Sequence, residues 1–148
     1  MPQITEVEKA YIAGLFDGEG TIGYYFKGKL RTHVAQLAIY NTDPRVMVWL
    51  RNILPSGGVY PNSRIKTGRK RGWQWMLSSR PCVEQFIRAI RPYLVIKADQ
   101  VDLILALWEA EDKLKRGRRI SDNVKQLRQD AELQLKMLKT AQYSLPAH

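Results

Sequence analysis

Two glycines set four apart inside an apolar helical run, Gly14 and Gly18, constrain this chain more than any other feature. Thr5 and Glu8 supply a capping box, so the spacing predicts a helix from Glu6 to Gly18. Each interior glycine costs such a helix roughly 1 kcal/mol relative to alanine. Together with Ala10 they stack on one helix face, since residues four apart lie above one another. A ridge of small residues lets a second backbone approach closely; the geometry is best known in membranes, but a soluble helix can use it too. The plainer alternative is that Gly14 is tolerated in a core and Gly18 begins the helix exit.

Beyond Gly20 the character changes. "TIGYYFKGK" and "HVAQLAIY" are β-branched and aromatic, and "KGKLR" supplies a turn between them, which predicts a hairpin. Asp43 and Pro44 then open a second helix as N-cap and first helical residue, and "PSGG" closes it. A second hairpin is predicted from Gly58 to Ser78, turning through "KTGRKRG". "RPCVEQFIRAIRPYL" reads as a third helix broken at Pro92. A fourth runs from Lys97 to Lys115 with Val101, Ile104, Leu105 and Trp108 on one face. Ser121 or Asp122 starts a last helix carrying Val124, Leu127, Leu135 and Leu138. The expected fold is α+β in the order αββαββα, with one four-stranded antiparallel sheet, helices on one face and extra C-terminal helices. One domain is expected over residues 1–148, its core at 6–105 and its C-terminal helices at 97–142.

Charge locates the partner. The net charge is +10, and residues 20–83 hold eleven Lys or Arg against the single acid Asp43, while the rest of the chain balances. A balanced scaffold bearing one basic region points to nucleic acid. Strand alternation sorts the side chains. Thr21, Tyr25 and Lys27 share one face, as do Thr32, Gln36 and Tyr40, then Asn62, Arg64 and Lys66, and finally Gln74, with Arg69, Lys70 and Arg71 at the second turn. These strands contain no acid, whereas a merely solvated face usually mixes Glu with Lys. Hydroxyl, amide and cationic groups on one pleated face are the groups that read base edges.

Asp17 and Glu19 close the first helix at the end whose dipole is already negative, so Glu19 gains nothing from the helix. A divalent cation reverses that balance, because the carboxylate and a neighbouring carbonyl, such as that of Gly18, become its oxygen ligands. Residues 12–20, "IAGLFDGEG", resemble the LAGLIDADG motif of homing endonucleases in both small-residue positions, the apolar pair Leu15–Phe16 and the acid–small–acid–Gly ending. The resemblance covers about residues 6–105, whose expected element order is that family's. It implies that the motif helices of two subunits pack together, through Ala10, Ala13, Gly14, Asp17 and Gly18. It also implies that Glu19 binds metal and that Asp17 stabilises the helix end and the interface. One copy of the motif implies a homodimer acting on a near-palindromic site. "RPYLVIK" resembles the segment where the family often carries an active-site lysine, here Lys97; a surface lysine opening a helix is the alternative. Asn41 and Arg45 fall where some members place polar groups around metal-bound waters, and Asn41 equally suits the end of a strand.

The activity so implied is site-specific cleavage of double-stranded DNA with Mg²⁺, with Mn²⁺ as a substitute and Ca²⁺ binding without cleavage. The alternatives on the same fold are an RNA maturase, with RNA as partner, and a non-catalytic DNA-binding regulator. Competing chemistries find little support. The only histidines are His33 and His148, no Ser/His/Asp set assembles, and no Walker loop occurs. Cys82 alone cannot form an internal disulfide and suits a small packed side chain in a reducing compartment. No run reaches membrane-spanning length and no signal-peptide pattern opens the chain, so an intracellular location, cytoplasmic or organellar, is expected.

Overall fold

The computed structural model describes residues 3–62, 71–114 and 122–146. Its contacts gather into two compact units, residues 1–98 and 99–148. The first unit contains α1 (Glu6–Glu19), β1 (Gly20–Lys27), β2 (Thr32–Asn41), α2 (Pro44–Ile53), β3 (Gly58–Pro61), β4 (Trp73–Leu77) and α3 (Arg80–Ile90). The αββαββα order is therefore present. Thr5 accepts from the Glu8 amide while Glu8 bonds back to the Thr5 amide, completing the capping box. Pro92 ends α3 as expected, in a single 3₁₀ turn at Arg91–Tyr93.

The sheet is antiparallel throughout, in the order β1-β2-β4-β3. Its pairing register settles which side chains share a face, since directly opposed residues point the same way. Ile22 faces Leu37, which faces Leu77; Ile39 faces Trp75. All the buried strand residues belong to this one face, against which α1, α2 and α3 pack. Three rings tie the layers together. Trp75 lies 5.3 Å from Phe86 of α3, and Phe86 meets Phe16 of α1 edge-to-face at 5.8 Å. Fully buried aromatics of this size supply much of a small core's stability.

The second unit is α-helical, formed by α4 (Ala98–Leu114, whose first residue closes the first unit) and α5 (Asp122–Thr140). On α4 the buried set is Val101, Ile104, Leu107 and Trp108; Leu107 takes the place expected for Leu105, which is half-buried. On α5 the buried positions are Val124, Arg128, Ala131 and Leu135, while Leu127 and Leu138 remain half-exposed. A buried ion pair accounts for the shift. Arg128 Nε donates to Glu111 Oε1 at 2.6 Å, so a charged residue occupies a position that apolar patterning gives to leucine. Such a pair costs desolvation that good geometry offsets, and losing one partner strands the other charge.

Where α1 hands over to β1, the last glycine of the motif has a steric cause. A Cβ on Gly20 would fall 2.3 Å from the Phe16 ring and 2.5 Å from the Phe16 carbonyl oxygen. Phe16 cannot retreat, because it is packed on Phe86. Gly20→Ala should therefore lose about 1–3 kcal/mol in urea denaturation, whereas Gly28→Ala, with nothing within 4 Å of the added methyl, should stay within about 0.5 kcal/mol of the parent.

Candidate active site and nucleic-acid interface

Asp17 organises the end of α1. Its Oδ2 accepts from the Val95 amide at 2.8 Å and its Oδ1 from the Lys97 amide at 2.9 Å. The Lys97 ammonium returns the contact, donating at 2.6 Å to the Asp17 carbonyl, an otherwise orphan acceptor at the helix C-terminus. Residues 80 apart in sequence are thus pinned together. Burial disfavours the ionised Asp17 carboxylate, but the amides of Val95, Lys97 and Ile96 and the Lys97 charge prevail and hold its pKa below the ordinary 3.8. Lys97 moves down from 10.5, driven by burial and opposed by the charges of Asp17 and Glu19.

Glu19 is exposed at the last position of α1. Lys97 lies close enough to feel its charge, and among the described residues its carboxylate has no hydrogen-bond partner. Among those residues no group of three or more His, Cys, Asp or Glu side chains could hold a metal ion. One copy of the chain offers a lone carboxylate beside helix-end carbonyls such as that of Gly18. Such a hard, sparse oxygen set fits an ion that keeps water in its shell and takes one or two protein carboxylates, as Mg²⁺ does.

Asn41 and Arg45 are placed at the junction of β2 and α2. Asn41 Oδ1 accepts from the Asp43 amide at 2.8 Å, so this side chain shapes the turn. Arg45 forks onto the Asp43 carboxylate, with Nη2 to Oδ2 at 2.6 Å. That hydrogen-bonded guanidinium lowers the Asp43 pKa to about 2 and raises that of Arg45. Asp43 also caps α2 through the Arg45 amide at 2.9 Å. Both candidate side chains are therefore engaged locally, and both line a groove between α1 and α2.

The interface residues of α1 divide. Ala10, Gly14 and Gly18 are exposed, and a Cβ at either glycine would meet no atom of the described residues within 4 Å. Ala13 departs from the expected set. It is completely buried in the core, because it lies about 100° around the helix from Gly14, toward the sheet. Asp17 is half-buried and spent on residues 95–97.

On the sheet face away from the helices stand Thr21, Tyr25, Lys27, Thr32, Gln36, Tyr40, Asn62 and Gln74, as alternation predicted. Arg64, Lys66, Arg69 and Lys70 lie outside the described residues, and Arg71 is exposed just before β4. Tyr25 donates to Gln36 Oε1 at 2.6 Å, and the Gln36 amide nitrogen approaches Met76 Sδ at 3.9 Å, so Gln36 is held in one orientation. Gly23 pairs with Gln36 and offers no side chain over it. Sequence reading missed Tyr60, which is exposed on this face opposite Gln74. Its two-residue spacing from Asn62 carried the signal.

No protein-family model and no curated protein matches this sequence. Solved structures do. The homing endonuclease I-CvuI, in complex with its target in the presence of calcium, is 16% identical with a TM-score of 0.71, covering 95% of this chain and 87% of that one. The archaeal intron-encoded homing endonuclease I-Vdi141I, complexed with DNA, is 14% identical at a TM-score of 0.70, covering 93% and 87%. This chain has the fold of the LAGLIDADG homing endonucleases. The LAGLIDADG meganuclease I-AabMI, bound to uncleaved DNA, matches at a TM-score of 0.64 and 14% identity, with 84% of this chain aligned to 43% of that one. In this fold α1 ends at Glu19, and Lys97 is tethered to that helix end through the Asp17 carbonyl. Among the described residues no helix is long and apolar enough to cross a membrane.

The Asp17 clamp is open to direct test. Asp17→Asn keeps the shape but loses the charge that receives the Val95 and Lys97 amides, so these two amides should exchange with deuterium faster than in the parent while the β1–β2 amides do not. Because the folded pKa of Asp17 is depressed, its contribution to stability is complete above 3.8 and is lost as the pH falls below that value. Acid should therefore release the same two amides first.

Proposed function

We propose that this chain is a site-specific, Mg²⁺-dependent double-strand DNA endonuclease of the homing type that works as a homodimer. The observation that carries the reading is the end of α1, where the exposed carboxylate of Glu19, without a partner among the described residues, stands within electrostatic reach of Lys97. Glu19 and the Gly18 carbonyl would hold the ion, which supplies charge neutralisation at phosphate and an activated water when bound. Lys97 contributes a fixed cation for developing negative charge on the phosphate. Its tether to the Asp17 carbonyl sets its position before substrate arrives. Asn41 and Arg45 serve as polar groups around the reacting water, for which Arg45 must exchange Asp43 for the site.

The outward sheet face would lie in the major groove of double-stranded DNA, each copy reading one half-site. Gln36, Gln74, Tyr40 and Asn62 offer amide and hydroxyl groups to base edges, while Lys27, Arg64, Lys66, Arg69, Lys70 and Arg71 serve bases and phosphates. The acid-free face and the DNA-bound neighbours of the same fold support this placement. The exposed glycine ridge, open above Gly14 and Gly18, supports the homodimer.

Two measurements test the reading. In a randomised duplex library with Mg²⁺, the wild-type chain should cut a narrow set of sites, and Glu19→Gln should cut none while still retarding the selected sites. Undiminished cutting by Glu19→Gln would overturn the assignment. Gln74→Ala should change base preference at one position, at a cost of roughly 1–3 kcal/mol, rather than weaken all sites alike. Uniform weakening would remove Gln74 from base reading.

A further inference from the structure

A glutamine carboxamide carries an oxygen with two lone pairs and a nitrogen with two N–H groups. Its two ends differ little in shape, so a glutamine without partners can turn over. On the outward sheet face the two ends of Gln36 are assigned. Gln36 Nε2 donates to Met76 Sδ at 3.9 Å, and Tyr25 Oη donates to Gln36 Oε1 at 2.6 Å. A thioether sulfur only accepts, whereas a phenol can donate or accept. The nitrogen therefore belongs on the Met76 side, and the phenol supplies the proton to the oxygen. The other glutamine of this face, Gln74, has no such braces among the described residues.

The braces come from opposite sides, because β2 lies between β1, which carries Tyr25, and β4, which carries Met76. The positions directly beside Gln36 are small. Gly23 opposes it on β1, and Ala38, the next outward residue of β2, opposes Met76. The Tyr25 ring runs alongside Gly23, 3.6 Å from where a Cβ would stand. Tyr25 thus reaches Gln36 across a position with no side chain, and neither small neighbour is long enough to cover the amide. Once both braces are counted, one lone pair and one N–H remain. Adenine offers their complement in the major groove, an acceptor at N7 and a donor at N6, whereas guanine offers two acceptors. Thymine O4 and cytosine N4 each match only one of the two groups. Fixing the amide beforehand also reduces the ordering cost of contact.

We propose that Gln36 reads adenine through its remaining lone pair and N–H, and that Tyr25 and Met76 are positioning residues that fix which end of the amide meets N6 and which meets N7. This inference rests on the reading of the outward face as the DNA-facing one, and adds to it the base that one residue selects.

Duplexes are selected by binding to the full-length chain from a randomised library. Wild type, Gln36→Ala, Gln36→Glu and Tyr25→Phe are then titrated against every single-base substitution of the selected site. At one position the wild type should require adenine, losing roughly 5- to 150-fold with another base, and Gln36→Ala should abolish that requirement. Gln36→Glu, which only accepts, should exchange adenine for cytosine, whose N4 donates. A merely structural role for Gln36 would not produce that exchange. Tyr25→Phe should lower the preference at the same position by about two- to tenfold. Equal weakening of every duplex by Gln36→Ala would overturn the proposal, as would a Gln36→Glu chain that still prefers adenine. An unaltered preference in Tyr25→Phe would overturn the positioning role. Cutting with Mg²⁺ is scored separately on the wild-type chain. An adenine requirement carried by Gln36, without cutting of the selected duplex, leaves this inference and removes the nuclease reading. Cutting at a defined site with no position that depends on Gln36 does the reverse.

Discussion

The carboxylate of Asp17 is the contact on which the functional end of the first unit depends. It converts the C-terminus of α1, a place of orphan carbonyls and negative potential, into a hub that receives the amides of Val95 and Lys97. The Lys97 ammonium then answers the helix carbonyls. Two acids at a helix end disfavoured for both are thus reconciled by division of labour. Asp17 is consumed by structure, and Glu19 is left exposed beside a cation. That arrangement leaves the Glu19 carboxylate without a structural partner among the described residues.

The same helix is amphipathic in an unusual sense. One side presents Ile12, Ala13 and Phe16 to the core, all completely buried. The other presents a stripe of Ala10, Gly14 and Gly18 with open space above the glycines. The helix-propensity cost of two glycines brings no benefit among the described residues of the first unit, none of which has an atom within 4 Å of their missing methyls. Gly20 differs, since Phe16 fills the place of its side chain. Three glycines of one short motif therefore have two physical causes, close packing inside the unit for Gly20 and clearance outside it for Gly14 and Gly18.

Much of this was legible in the residues. The capping box, Asp43 with Pro44, the break at Pro92 and the two-residue alternation of the strands are local signals, and each element they predicted is present. The outward face followed from alternation because a buried opposite face pins the register. What local reading missed was long-range. The bonds from Val95 and Lys97 to Asp17 join positions 78 and 80 apart, and nothing near either end announces them. Arg128 occupies a buried position of α5 because Glu111 on α4 neutralises it, which hydrophobic periodicity cannot register. Ala13 was expected at the subunit interface from the family resemblance alone, but one step of about 100° from Gly14 turns it into the core. Arg31, at φ 50°, takes the left-handed conformation of the β1–β2 turn that glycine more often takes, so the presence of Gly28 in that turn pointed to the wrong residue.

On the proposed reading, two copies that each bring the Glu19 carboxylate at the end of α1 should act on the two strands of a duplex symmetrically. Mapping both strand breaks at nucleotide resolution in a site selected from a random library tests this most directly. The account predicts one break per strand, at positions related by two-fold symmetry about the centre of a near-palindromic target. Breaks confined to one strand, or placed without symmetry about the bound site, would contradict it.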